Sequence, residues 1–339
     1  MQPRDWYQRA PIFTLMTAKP SWMLPEGVEE ILPDEAKALE QLRRQILDDF
    51  ESRGFELVMP PVMEFVDALL TGTGEELDTQ TYKFMDQHTQ RMLGVRADIT
   101  PQIARIDAHY LQDRAVNRLC YSGSVLRTRP ETMGGQRELL QIGAEVFGVD
   151  GVEADLEILD ALLSTLALSG AKELTLSLGH VGVYSQLMAQ QSLSAVTQAR
   201  LLDVLQRKSD PDLDLLSSEV DIKPFKALLQ WQGGAEVIET ARQWLHEHTD
   251  LASGVEPCLQ ALMTVIDVLK SRTPRCDIHI DLADVSGYRY HTGLKYSAFV
   301  TGRGRAIAKG GRYDRIGEQF GRARPATGFS ADLKTLFRI

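Results

Sequence analysis

Two short runs of this sequence carry polar residues spaced to recognise a small charged molecule. In Arg96-Ala97-Asp98-Ile99-Thr100 a carboxylate and a hydroxyl stand two apart. A carboxylate suits a cation, because charge-assisted hydrogen bonds are the stronger kind. In Gln141-Ile142-Gly143-Ala144-Glu145 an amide and a carboxylate stand four apart, and an even separation puts both on one face of a strand. Glu145 can accept a hydrogen bond from an N–H donor, while Gln141 both donates and accepts. Each residue also has a plainer reading. An isolated glutamate is usually a surface carboxylate, Arg127 can be an ordinary sheet arginine, and His291 can be a neutral hydrogen-bonding filler. His180 and His279 stand in strand-like text without partners and read as structural. Gly310-Gly311-Arg312 is a weak phosphate-loop signal that turn geometry explains equally well. Cys120, Cys258 and Cys276 are odd in number and far apart, with no metal-ligand or redox spacing, so they read as reduced structural thiols and no metal or cofactor is expected.

These residues need elements to hold them. Leu39, Leu42, Ile46 and Phe50 recur at helical steps after Asp34, the expected N-cap, and Gly54 supplies a stop. Phe55 to Glu64, interrupted by Pro60-Pro61, reads as extended edge structure. Thr100-Pro101 reads as an N-cap followed by proline at the first helical position. Val152 to Leu168 is helical on a leucine stripe ended by Gly170, and Leu174, Leu176 and Leu178 alternate as a half-buried strand. Residues 191–270 are helical and polar, broken at Asp210-Pro211 and Gly233-Gly234, and read as an inserted helical domain. From Asp277 the alternation returns, with Asp277 to Asp281 and Tyr288 to Val300 expected as strands. The expected fold is α+β: a mostly antiparallel sheet flanked by helices, its core formed by 23–190 and 271–339, split by the helical insertion and preceded by an extension over 1–22.

The chain has 339 residues, 43% hydrophobic and 25% charged, which suits a globular protein with one large core and a smaller satellite. No apolar run is long enough for a spanning helix, and Pro11 and Pro20 break the only stretch resembling a signal peptide, so a cytoplasmic location is expected. Lys and Arg total 37 against 47 Asp and Glu, a net charge of −10. Proteins that grip a nucleic-acid backbone normally collect cations, so the balance argues against tRNA as a partner.

Three separated segments together resemble the signature motifs of class II aminoacyl-tRNA synthetases, and of the histidyl-tRNA synthetase branch in particular. The helix and Gly54-Phe55 to Pro61-Val62-Met63-Glu64 resemble motif 1, which in that family builds a dimer interface. Val125-Leu126-Arg127 with Gln141 to Gly148 resembles motif 2 and the strand after it. Lys309-Gly310-Gly311-Arg312-Tyr313-Asp314 and Pro325 to Ser330 resemble the approach to motif 3. The resemblance runs from about 23 to 337. It implies a histidine pocket in which Asp98 and Thr100 hold the ammonium, Gln141 and Glu145 read the ligand, Arg127 takes the carboxylate, and Tyr290 with His291 covers the imidazole.

Three departures accompany it. The loop Ser286-Gly287-Tyr288-Arg289-Tyr290-His291 begins with serine where a working synthetase has an arginine. Motif 3 reaches Thr335, preceded by Lys334, where the family clamps ATP with arginine, and Arg129 replaces an acidic residue of the motif 2 loop. One lost donor to developing charge costs about 3 kcal/mol of transition-state stabilisation, so adenylation should be abolished. The sequence ends at Ile339, directly after motif 3, leaving no anticodon-binding domain in the expected organisation. That pattern is similar to the synthetase paralogue that regulates ATP phosphoribosyltransferase. The resemblance implies no catalysis by this chain, a separate catalytic subunit as hetero-oligomeric partner, self-dimerisation through motif 1, and feedback by histidine. The alternative is a truncated histidyl-tRNA synthetase or a synthetase-like amino-acid ligase.

Overall fold

The computed structural model describes residues 23–72, 75–132, 134–248, 252–273, 276–288 and 290–339. The extension expected over 1–22 lies outside them.

Helix α1 (Pro33–Ser52) buries Leu39, Leu42, Ile46 and Phe50 along one stripe. Asp34 was expected as its N-cap. The helix instead starts two residues earlier, with Leu32 at the N-cap, Pro33 at the first position and Asp34 and Glu35 in the first turn, where carboxylates favour the helix dipole. Strand β1 (Glu56–Leu57) follows Gly54, whose φ of 86° makes the reversal. Then come β2 (Met63–Phe65), α2 (Val66–Leu69), α3 (Glu75–Gln80), β3 (Tyr82–Met85), β4 (Met92–Val95) and α4 (Thr100–His109). The long strands β5 (Asn117–Leu126) and β6 (Glu138–Phe147) precede α5 (Val152–Leu168), β7 (Leu174–His180) and α6 (Val181–Ala189). A helical stretch follows: α7 (Ala195–Gln206), α8 (Asp210–Asp214), α9 (Lys223–Gln230), the short β8 (Gln232–Gly233), α10 (Glu236–His248) and α11 (Ala252–Arg272). The chain closes with β9 (Asp277–Asp281), β10 (Leu294–Val300), β11 (Ala308–Arg312), β12 (Ala326–Asp332) and α12 (Leu333–Phe337).

Nine strands form one sheet in the order β1-β5-β6-β12-β11-β10-β7-β9-β8, while β2, β4 and β3 form a second, three-stranded sheet. Among the described residues only β1 with β5 and β7 with β9 pair in parallel. One face of the large sheet carries α1, α5, α11 and α12 over a core that includes Ile46, Phe50, Ile158, Leu162, Leu178 and Phe329. Buried residues of the helical stretch, such as Leu201, Leu205 and Phe225, belong to this same cluster, and β8 adds an edge strand beside β9. A smaller cluster of Ile99, Ile103, Leu119, Tyr121 and Tyr313 lies under α4.

Three local expectations are corrected. Thr100 does not cap α4; Ile99 holds that position, and the Thr100 hydroxyl turns into the protein interior. Tyr288 to Val300 is not one strand, because the segment before Leu294 is a tight turn. It is closed by Tyr288 N–H to Val285 C=O at 3.1 Å and by the N–H groups of Tyr290 and His291 to Gly287 C=O at 2.8 Å, with Gly287 at φ 69°. Gly310 and Gly311 lie inside β11 rather than in a turn; a Cβ on Gly310 would stand 2.4 Å from the Gly328 carbonyl.

Candidate functional site

Glu145 is the centre of the site. It lies on β6, 1% exposed, and its carboxylate accepts three hydroxyls. Thr100 and Tyr121 donate to one oxygen at 3.1 Å each, and Tyr313 donates to the other. Burial pushes its carboxyl up to about 8, against the opposing pull of these hydroxyls, with the nearby Asp98 charge adding to the rise. The same burial and the acid's charge raise the phenols of Tyr121 and Tyr313, so both remain hydrogen-bond donors at neutral pH.

Gln141 sits four residues earlier on the same face of β6. Its carbonyl accepts the Ile99 N–H at 2.9 Å and its amide donates to Asp98 Oδ1 at 3.0 Å. Asp98 Oδ1 also accepts the Thr100 N–H at 2.9 Å. Arg96 anchors this loop from behind: its guanidinium donates to Ser124 C=O and Pro60 C=O at 2.8 Å each. The guanidinium passes over Gly123, where a Cβ would lie 2.3 Å from Arg96 Nη2.

Cross-strand register explains the room at the centre. Glu145 pairs with Gly328, Gly328 with Gly311, and Gly311 with Lys295. Directly paired residues share a face, so an acid and a base stand at the ends of a floor made by two glycines. Three strand spacings of about 4.8 Å separate their backbones. A Cβ on Gly328 would overlap Glu145 Oε2 at 1.4 Å, and one on Gly143 would meet the Tyr121 hydroxyl at 2.5 Å. His291 lies over Gly311, with Nδ1 2.9 Å from where a Cβ would be, and Tyr290 stacks on Tyr313 with centroids 5.1 Å apart. Burial lowers the His291 imidazole to about 4, so it is neutral, and its buried Nδ1 has no hydrogen-bond partner among the described residues.

The structure therefore joins Asp98, Thr100, Gln141 and Glu145 in one hydrogen-bonded group and reaches Tyr290 and His291 through Tyr313 and the glycine floor. Arg127 stands to one side. Its Nε is 3.4 Å from Ala97 C=O and its Nη1 3.7 Å from Glu131, and it lines a cleft with Gln141, Glu131, Lys309 and Thr335. Within that cleft Thr335 donates its N–H and hydroxyl to Asp332, which caps α12, while Lys334 is buried against Glu138. Arg129 is exposed. Ser286 donates its hydroxyl to Asp284 at 2.6 Å. Sequence reasoning did not single out Tyr121 and Tyr313, the two phenols on Glu145. Tyr313 lay inside a quoted motif, and only cross-strand register places Tyr121 beside the acid. His180 caps α6 by accepting the Gly182 N–H at 3.1 Å, a structural role. The thiols of Cys120, Cys258 and Cys276 are free and raised to about 12, 11 and 11 by burial.

A nine-stranded, largely antiparallel sheet with a polar pocket on one face defines the class of protein, and the family model described as histidyl-tRNA synthetase matches residues 27–336. A curated relative from Nitrosococcus oceani, an ATP phosphoribosyltransferase regulatory subunit, is 48% identical over 94% of this chain and 80% of its own length. The solved ATP phosphoribosyltransferase regulatory subunit/histidyl-tRNA synthetase from Bacillus halodurans C superposes with a TM-score of 0.81 at 26% identity, over 95% of this chain and 84% of that one. A chain of the ATP phosphoribosyl transferase (HisG:HisZ) complex from Thermotoga maritima shares the fold, with a TM-score of 0.67 at 18% identity over 87% and 97% of the two chains. The present chain belongs to the ATP phosphoribosyltransferase regulatory subunit family, within the histidyl-tRNA synthetase-like fold.

Proposed function

We propose that this chain binds free histidine in the Glu145 pocket and, with no chemistry of its own, transmits that binding to a separate catalytic subunit of ATP phosphoribosyltransferase. The observation that carries the reading is Glu145 itself, a buried acceptor ringed by Thr100, Tyr121 and Tyr313 and adjoining the polar group of Asp98 and Gln141. In this reading Glu145 takes the imidazole N–H, Asp98 and Thr100 take the ammonium, Arg127 takes the carboxylate from the cleft side, and Tyr290 with His291 closes the imidazole end. Thr335 and Ser286 are uncharged and supply no cationic clamp for ATP phosphates, which supports a regulatory rather than a catalytic role. Feedback needs histidine to favour one state of the complex, and a coupling of about 1–3 kcal/mol is enough.

Isothermal titration tests this directly. Histidine binding by the chain, with no histidine-dependent ATP–pyrophosphate exchange, is the expected result. Exchange activity would return the protein to the synthetases or ligases.

The assembly has a second component. Leu57, Met59, Val62 and Met63 around the motif 1 segment and Phe84, Met85 and Met92 of the three-stranded sheet are exposed, and exposed apolar surface of this kind is where a partner would dock. A second copy of this chain docking there would cover it. The helical segment 191–270 is read as an inserted unit of the core formed by 23–190 and 271–339. No helix among the described residues is long and apolar enough to cross a membrane, in keeping with a cytoplasmic place for the complex.

A further inference from the structure

The segment 284–291, which brings Tyr290 and His291 over the pocket, is fastened at one point by an ammonium from another element. Lys295 lies on β10, at the end of the glycine row opposite Glu145, and is 7% exposed. Its Nζ donates to Asp284 Oδ1 at 2.6 Å, to the Ser286 carbonyl at 2.8 Å and to the Ser286 hydroxyl. An ammonium has three N–H donors, and all three go to this one segment. Asp284 Oδ1 in turn accepts the Ser286 N–H at 3.2 Å, so the carboxylate, the serine and the lysine form a closed knot at the base of the turn. From there contacts run without a break to the pocket. Gly287 lies against the His291 ring, which rests on Gly311. Tyr290 meets His291 edge-on at 5.2 Å and stacks on Tyr313, whose hydroxyl reaches Glu145.

We propose that Lys295 is a positioning residue for ligand recognition: it pins the 284–291 segment, and through it fixes where Tyr290, His291 and the Tyr313 hydroxyl stand relative to Glu145. Lys295 touches none of the pocket's polar group itself. Its contribution is to hold that segment in one place before the ligand arrives, which lowers the ordering entropy lost on binding. The small side chain at Ser286 is part of the device, because it leaves the base of the turn open to a cation supplied from the sheet.

The proposal rests on the histidine reading only for its effect on affinity; pinning can be measured without any ligand. Hydrogen exchange of the Ser286, Tyr288, Tyr290 and His291 amides should quicken in Lys295→Met, stay near wild type in Lys295→Arg, and be unchanged in both at the β11 amides. Asp284→Asn, which attacks the knot from the loop side and leaves the strand intact, should reproduce the Lys295→Met pattern should that variant fold poorly. Histidine titration of the same proteins should show affinity lowered on the order of tenfold in Lys295→Met and largely restored in Lys295→Arg, as expected for loss of a charge-assisted anchor. Unchanged exchange in both Lys295→Met and Asp284→Asn overturns the proposal. Quickened exchange with wild-type histidine affinity also overturns it, since the segment would then be pinned without positioning anything. A wild-type protein that binds no histidine, with exchange quickened as described, leaves the pinning standing and removes the histidine reading instead.

Discussion

Glu145 is a carboxyl whose protonation the fold controls. Its folded value of about 8 lies above the unfolded value near 4.5. The stabilisation that comes with its neutral form is therefore complete below about pH 4.5 and is lost as pH rises through 8. Thermal unfolding of the free protein between pH 5 and 9 should show this decline, and Glu145→Gln, neutral throughout, should flatten it. The same substitution should weaken histidine binding by roughly tenfold, the scale of one buried hydrogen bond, and calorimetric titration checks it. The hydrogen-bonded grouping of Asp98, Thr100, Gln141 and Glu145 was legible because the two runs that carry them resemble neighbouring motifs of the synthetase family and each pair lies within one loop or one strand. Tyr121 and Tyr313 were not. Their value depends on pairings between β5, β6 and β12, and such pairings leave no trace in local spacing.

At the scale of elements, glycines decide where side chains fit. Gly328→Ala would drive a methyl into the Glu145 carboxylate, and the strand behind it offers no escape, with Ala144 C=O 2.8 Å from the added carbon. We expect a loss of about 1–3 kcal/mol in stability, the usual range for overpacking, together with loss of histidine binding; chemical denaturation and titration measure the two. On the opposite face of β11, Arg312 joins Asp155 at 3.2 Å and also donates to Gly151 C=O at 2.5 Å, tying the strand to the start of α5. Both charges are nearly fully buried. Arg312→Met strands the Asp155 carboxylate and should cost about 3–5 kcal/mol, the range for breaking a buried pair, read as a lowered denaturation midpoint. The helices were largely legible because hydrophobic stripes report them directly. Tyr288 to Val300 was misread because an aromatic-rich turn and a strand share composition, and the hydrogen bonds to Gly287 C=O that curl the segment are invisible to alternation.

For the whole molecule, the sheet order β1-β5-β6-β12-β11-β10-β7-β9-β8 was not readable from the chain, although its antiparallel character was. Strand order follows from how helices cover the two faces, which no local pattern encodes. The apolar surface around Met59 and Met63 belongs to this scale too. A Met59→Glu, Met63→Glu double substitution places two charges on a face proposed to be covered, and sedimentation should report a shift from dimer towards monomer with the pocket still able to bind histidine. Mixed with the catalytic subunit, wild-type protein should bind histidine with an affinity altered by the same factor by which histidine alters subunit affinity, since binding linkage is reciprocal.

The glycine floor has a temporal consequence. The row that runs from Glu145 through Gly328 and Gly311 to Lys295 is complete only after the chain has passed through the entire helical stretch and turned back to lay β10, β11 and β12 in the sheet, with β12 beside β6. Contacts so distant along the chain form late, because loop-closure entropy must be met before they contribute. A nascent chain still short of Gly328 has the acid without its floor. The amino acid that this protein is proposed to sense should then leave the folding rate untouched and act only on the finished molecule, slowing its unfolding.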